Sequence, residues 1–388
     1  MKIAIVHEWL DTYAGSERVI EQLIDCFPTA DLFAIVDFLP EQSRGFLGGR
    51  PVRTSFIQHL PFSRRMFRQY LPLMPFAVEQ LDMTGYDVVI SSNHAVAKGV
   101  LTGPDQLHIS YIHSPMRYAW DLQNQYLRQI GLERGIKSML IRWLLHRMRQ
   151  WDARSANGVD VFVANSAYIA RRIQKAYRRD SIVIPPPVAV EDFTLETNKD
   201  DFYLVVSRFV PYKRIDLIVS AFAEMPEHRL LVVGEGPERS RIHAAARGAA
   251  NIEFKTPVSK TELIKLLQRS CAFICAAEED FGISMVEAQA CGTAVIAYRR
   301  GGANEIVCDI DAASPTGILF ESQTSEAITH AVRRFETMRD RITSKACREN
   351  SLRFSVQHFR EKIITLVERL TNSTTKVHPQ STQSRQHG

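Results

Sequence analysis

Short apolar runs recur along the chain with helical patterns between them. Lys2-Ile-Ala-Ile-Val6 has the unbroken apolar character of a strand buried on both faces. A loop with Gly15 follows, and then Val19, Ile20, Leu23 and Ile24 repeat at helical spacing. Strand-like runs return at Asp31–Val36, Asp87–Ser91, His108–Ile112, Val159–Ala164 and Ser181–Ile184. Pro185-Pro186-Pro187 then interrupts the series, since three prolines fit neither a central strand nor a helix interior. The alternation restarts with strands at Phe202–Ser207, Arg229–Val233, Ile252–Phe254, Cys271–Ala276 and Ala294–Tyr298. Helices are expected at Ile215–Ala223, Thr261–Ser270 and Ser284–Ala290.

This pattern predicts an α/β chain of two Rossmann-like, doubly wound domains facing a cleft. The expected units are 1–187, 188–354, and a final helix over 355–370 that packs back on the first domain. Residues 371–388 are nearly devoid of apolar side chains and are expected to form a disordered tail. Ligands of such sheets bind beyond the carboxyl ends of the strands, so the cleft is the expected site.

Composition narrows the classes. With 388 residues, 45% hydrophobic and 23% charged, the chain is globular rather than disordered, collagenous or coiled-coil. Its six cysteines form no C-x-x-C pair, which gives zinc ribbons and thioredoxin-like chemistry no support and suits a reducing cytosol. The start MKIAIVHEWL is too short in apolar residues for a signal-peptide core, and no run approaches a membrane span. The net charge of +5 is mild and hints at acidic partners, phosphates or anionic lipid.

Candidate chemistry concentrates in Glu279-Asp-Phe-Gly-Ile-Ser-Met-Val-Glu287. Phe281, Gly282, Ile283 and Ser284 fall at a helix start, where free N–H groups and the helix dipole attract anions. Glu279 lies just before it and Glu287 about one turn inside, so the two could grip hydroxyls on either side of a phosphate. Spacing alone equally allows these acids simply to cap the helix. Arg208 leaves a strand end and Lys213 precedes the next helix, a pairing that suits a diphosphate, although an ordinary surface pair has the same spacing. Gly15 opens the first helix, and His113 follows a strand; each could face the cleft, or serve only as a helix start and a structural histidine. Gly234-Glu235-Gly236 lacks the last glycine of a dinucleotide fingerprint and is taken as a strand-to-helix turn. Gly301-Gly302 is a second tight turn, and Asp309-Ile-Asp311 is read as a chance D-x-D.

Together these stretches resemble family 4 of the retaining glycosyltransferases, which have the GT-B fold. The resemblance covers roughly residues 1–370 and rests on EEDFGISMVEAQACGTAVIA, SRFVPYKRID and GGANEIV. It implies that Arg208 and Lys213 bind a donor diphosphate, that Glu279 faces the donor sugar and that Glu287 holds the nucleotide ribose. It places Gly15 and His113 at the sugar site. Asp280 stands where the family usually has glycine, and Ala14 where it often has another. SSNHAVAKGV and YIHSPMRYAWD look like bacterial mannosyltransferases of polysaccharide assembly that use GDP-mannose. The implied activity is hexose transfer from a nucleotide diphosphate sugar to a glycan or lipid-linked glycan, with no metal or other cofactor.

Pro61–Leu71 and Arg134–Arg154 mix basic and apolar residues, as membrane-surface helices do; packing of the second on the first domain is the competing expectation. The expected location is cytoplasmic, with peripheral contact on the inner membrane face. The competing functions are a nucleotide-sugar epimerase or hydrolase of the same shape and a non-catalytic nucleotide-sugar-binding scaffold. A dehydrogenase lacks its fingerprint, and the charge is too balanced for a nucleic-acid binder.

Overall fold

A computed structural model describes residues 1–377, with side chains through residue 372. The first domain is a seven-stranded sheet in the order β3-β2-β1-β4-β5-β6-β7. Its strands are β1 (Ile3–Leu10), β2 (Asp31–Asp37), β3 (Val52–Thr54), β4 (Val88–Asn93), β5 (Leu107–Ile112), β6 (Val161–Ala164) and β7 (Ser181–Val183). The second sheet runs β10-β9-β8-β11-β12-β13. It comprises β8 (Tyr203–Val206), β9 (Leu230–Val233), β10 (Ile252–Lys255), β11 (Ala272–Cys275), β12 (Ala294–Tyr298) and β13 (Gly317–Phe320). Every pairing within the two sheets is parallel. The short edge strands β3 and β13 are additions to the sequence expectation.

Each sheet has helices on both faces, which is why its central strands are apolar throughout. In β8, Tyr203 and Val205 join one core layer and Leu204 joins the opposite one. Chain order reverses between β1 and β4 in the first sheet and between β8 and β11 in the second. Loops leaving neighbouring strands there diverge to opposite faces and open a crevice.

The chain crosses between domains twice, side by side. Val188 N–H donates to the Phe354 carbonyl at 2.9 Å, and Val188 bridges to Ser355. The final helix, Val356–Val377, then returns to the first domain. Phe359, Ile363, Leu366 and Val367 bury against the same core as Ile20, Leu23 and Ile24. Arg360 donates to Gln22 at 2.6 Å and pairs with Asp25. This helix runs past residue 370 into the segment expected as tail. Thr371 satisfies its hydroxyl on the Val367 and Glu368 carbonyls, so it does not break the helix. Residues 378–388 of that expected tail lie outside the described residues.

Candidate active site

The second domain supplies its site residues at the β8/β11 reversal. After β8 the chain turns through Ser207–Arg214 into the helix Ile215–Ala223, which carries Arg208 and Lys213 out from the carboxyl end of the sheet. After β11, the loop through Glu279 and Asp280 reaches Gly282, which caps the helix Ile283–Ala290 with φ +110°. Lys213 Nζ and the Glu279 carboxylate form an ion pair across the gap between these two turns. Burial opposes the Lys213 charge, yet Glu279 more than offsets it, and its pKa rises.

Gly301-Gly302 is more than a tight turn. Gly302 N–H donates to the Glu279 carbonyl at 2.8 Å. Gly301 has φ +68°, and a Cβ there would lie 2.0 Å from the Glu279 carbonyl oxygen. The bare backbone of GGANEIV thus sets the height of the Glu279 loop. Gly234-Glu235-Gly236 does link β9 to the helix Arg239–Ala245, and the Glu235 carbonyl accepts Phe209 N–H at 2.8 Å, beside Arg208. Asp309 and Asp311 do not converge: Asp309 pairs with Arg299 and Asp311 with Arg334.

In the first domain, Glu8 lies inside β1 with no exposed surface. Its carboxylate accepts the backbone N–H groups of His94, Ala95, Val96 and Ala97 at 2.8–3.0 Å. That clamp fixes the loop leaving β4 and turns His94 to the cavity. Glu17 does the same for the loop leaving β1, accepting Ala14 N–H at 2.9 Å. Burial opposes its charge, but the hydrogen bonds from His7 and from Ala14 N–H prevail, and the Glu17 carboxyl falls to about 2. His113, just past β5, is held by burial far below its ordinary value, at about 3, and is neutral at pH 7.

These two half-sites enclose a cavity of about 950 Å³. Gly15 and His113 line it from one side, and Lys213, Glu279, Phe281, Gly282, Ile283 and Ser284 from the other. Gly15 faces Ile283 so closely that a Cβ would sit 3.3 Å from the Ile283 methyl. Phe281 is buried and packs edge-on against Phe354, so it is a wall rather than a polar contact. Arg208 lines an adjoining cavity of about 210 Å³, shared with Lys213, Glu279 and Ser284. Its guanidinium is exposed and without a partner among the described residues. Glu287 lines neither cavity; it is 8% exposed and accepts Arg18 from the first domain at 2.9 Å.

Asp280 explains its departure from glycine. Its carboxylate meets Arg117 at 3.3 Å and Arg172 at 3.2 Å, both from the first domain. On balance burial raises its carboxyl, and the two guanidiniums pull it only part of the way back. With both cations in contact, the ionised form is the one the geometry supports. A second cross-domain contact is Glu305, which accepts Ala167 and Tyr168 N–H at 2.8 and 3.1 Å and caps the helix Ala167–Tyr177. Sequence reasoning missed Arg18, Arg117, His94 and the role of Glu305. His94 and Arg117 do lie inside the two strings singled out above, SSNHAVAKGV and YIHSPMRYAWD.

Residues 13–192 match the family model for Glycosyltransferase Family 4, and residues 190–354 match that for Glycosyl transferases group 1. A D-inositol 3-phosphate glycosyltransferase of Mycobacterium tuberculosis is 31% identical over 179 residues, 42% of this chain and 36% of that protein. The chain therefore spans about a third of the length of the curated relatives it matches. Among solved structures, a sucrose-phosphate synthase from Thermosynechococcus elongatus superimposes with a TM-score of 0.72 at 18% identity, covering 96% of this chain and 99% of that one. Anabaena HepE in complex with UDP and glucose gives 0.67 at 15% identity, covering 94% and 99%. At such identities the likeness is one of fold. Two adjoining family matches running from residue 13 to residue 354, on a GT-B fold, make this chain a member of family 4 of the GT-B glycosyltransferases.

Proposed function

We propose that the chain transfers a hexose, mannose from GDP-mannose in the narrowest form of the reading, to an acceptor hydroxyl with retention at the anomeric carbon. The observation that carries this is the meeting of Lys213 and Glu279 beside the Gly282 helix start, with Arg208 unpartnered next to them. The bond from the anomeric carbon to the diphosphate oxygen breaks, and the acceptor oxygen bonds to the same face. The acceptor proton passes to the leaving phosphate. Arg208, Lys213 and the helix N-terminus stabilise the charge that grows on the diphosphate. Lys213 is shared between Glu279 and that diphosphate, while Glu279 faces the sugar and Glu287 the nucleotide ribose. Because the cations and the helix end carry this charge, the reading requires no metal.

For the acceptor we favour a lipid-linked glycan in surface polysaccharide assembly. Leu71, Leu127, Ile130, Ile141 and Leu145 form an apolar wall on the first-domain side of the cavity. Ile130 is also exposed, near the helix Ile136–Ser155, whose Leu145 and Met148 pack into the domain. Its opening turns leave Ile136, Met139, Leu140 and Trp143 in solvent, at i, i+3, i+4 and i+7, with Ile136 86% and Trp143 59% exposed. That stripe, beside Arg134 and Lys137, suits the inner leaflet of an anionic membrane. Among the described residues no helix is long and apolar enough to cross a membrane.

Thermal-shift screening against GDP, UDP and ADP sugars tests the donor. Stabilisation by GDP-mannose alone supports the narrow reading, and stabilisation by another sugar replaces it. Release of free sugar or an epimer without acceptor would favour the epimerase or hydrolase alternative. Binding without turnover would favour the scaffold.

A further inference from the structure

A buried hydrogen-bond chain runs from the loop of Gly15 to His113. Glu17 Oε1 contacts His7 Nε2 at 3.2 Å, His7 Nδ1 contacts Ser92 Oγ at 3.2 Å, and Ser92 Oγ contacts His113 Nε2 at 2.9 Å. Glu17, His7 and Ser92 are 3%, 2% and 0% exposed, so water does not compete for these contacts. None of the three lines the cavity, whereas His113 does.

The donors along the chain follow from the chemistry of its ends. An ionised carboxylate only accepts, so His7 Nε2 carries a proton toward Glu17. With that single proton on His7, Nδ1 is a bare acceptor, and Ser92 spends its one hydroxyl proton there. The Ser92 oxygen must in turn be met by a proton on His113 Nε2. That leaves His113 Nδ1 as a lone pair, and Nδ1 has no hydrogen-bond partner among the described residues. The other Glu17 oxygen accepts Ala14 N–H at 2.9 Å and Ser16 hydroxyl at 3.0 Å, which pins the Gly15 loop. One buried carboxylate thereby governs both first-domain elements that reach the donor.

We propose that Glu17 and Ser92 are positioning residues that act through His7 to hold His113 in its Nε2-protonated tautomer, so that His113 meets the donor sugar as a hydrogen-bond acceptor. This rests on the glycosyl-transfer reading for the identity of what His113 meets, but the tautomer itself does not. His113 reads a sugar hydroxyl that donates, and rejects a donor analogue with fluorine in its place.

Long-range proton–nitrogen spectra of the full chain labelled with ¹⁵N-histidine, at neutral pH, test the tautomer without substrate. The expected result is a proton on His113 Nε2 and on His7 Nε2, retained in Ser92→Thr and lost to a mixture in Ser92→Ala. A wild-type His113 protonated on Nδ1, or an unchanged tautomer in Ser92→Ala, overturns the proposal. In kinetics, Ser92→Ala should lower kcat/KM about tenfold, with Ser92→Thr restoring it and the Kd for the free nucleoside diphosphate unchanged. If Ser92→Ala does not fold, Glu17→Gln replaces it, since an amide accepts or donates and should scramble the tautomer; an unscrambled spectrum overturns the proposal. Failure of any nucleoside diphosphate to bind would sink the transfer reading and leave the tautomer result standing.

Discussion

Arg18 of the first domain donates to Glu287 of the second at 2.9 Å, and this contact occupies the carboxylate proposed to hold the nucleotide ribose. On that proposal a bound nucleotide displaces Arg18. Arg18 is partly exposed, so the pair is worth no more than about 1 kcal/mol. Arg18→Ala should therefore tighten nucleoside diphosphate binding by up to about fivefold in calorimetry. A weaker Kd would mean that Arg18 itself touches the nucleotide.

Glu287→Ala removes the acceptor rather than its competitor. The loss of one charged hydrogen-bonding group predicts about ten- to thirtyfold weaker nucleotide binding, with the unfolding midpoint little changed. An unchanged donor KM would count against the ribose role.

Gly301→Ala and Gly49→Ala make a controlled pair. Both glycines have left-handed φ, +68° and +73°, but a Cβ at Gly49 meets nothing within 4 Å. Gly49→Ala should cost about 1 kcal/mol in urea unfolding and leave turnover intact. Gly301→Ala adds a clash with the Glu279 carbonyl, so it should cost more and lower kcat as well. Equal effects of the two would remove Gly301 from the site.

Acid should weaken the fold through its buried histidines. Burial lowers His113 from 6.5 to about 3 and His108 from 6.5 to about 4. Between these values and 6.5 the unfolded chain binds the extra protons, so stability falls as pH drops below 6.5. The expected slope is up to about 1.4 kcal/mol per pH unit for each histidine. Glu17, lowered from 4.5 to about 2, adds stability that is full above 4.5 and lost toward 2. His113→Asn should reduce the slope between pH 6 and 4 in denaturant titrations; an unaltered slope would show that His113 is not buried as neutral imidazole.

The exposed stripe on the helix Ile136–Ser155 makes a separate prediction. Vesicles containing anionic lipid should float the wild-type chain, and Leu140→Glu with Trp143→Glu should not float. No flotation of the wild type would remove the membrane from the account.

Much of the fold was legible because its signals are local. Central strands buried on both faces are continuous apolar runs, as in Ile3–Val6 and Ala272–Cys275. The strands β3 and β13 were not legible: each is three or four residues at a sheet edge, and Val52-Arg53-Thr54 has no apolar run at all. In the site, Glu279, Gly282 and Lys213 announce themselves by their places at strand ends and helix starts. Arg18, Arg117 and Glu305 do not, because their partners Glu287, Asp280 and Ala167 lie more than a hundred residues away. For Arg134–Arg154 the structure bears on the domain-packing expectation alone. Leu145 and Met148 pack, whereas Ile136 to Trp143 carry the open stripe.

The central claim is that Lys213 serves a diphosphate rather than only its ion pair with Glu279. Steady-state turnover of Lys213→Ala with GDP-mannose, or with whichever sugar nucleotide stabilises the chain, tests it most directly. The account predicts a fall of at least about a hundredfold in kcat with the unfolding midpoint preserved. Turnover near the wild-type rate in a folded variant would contradict it.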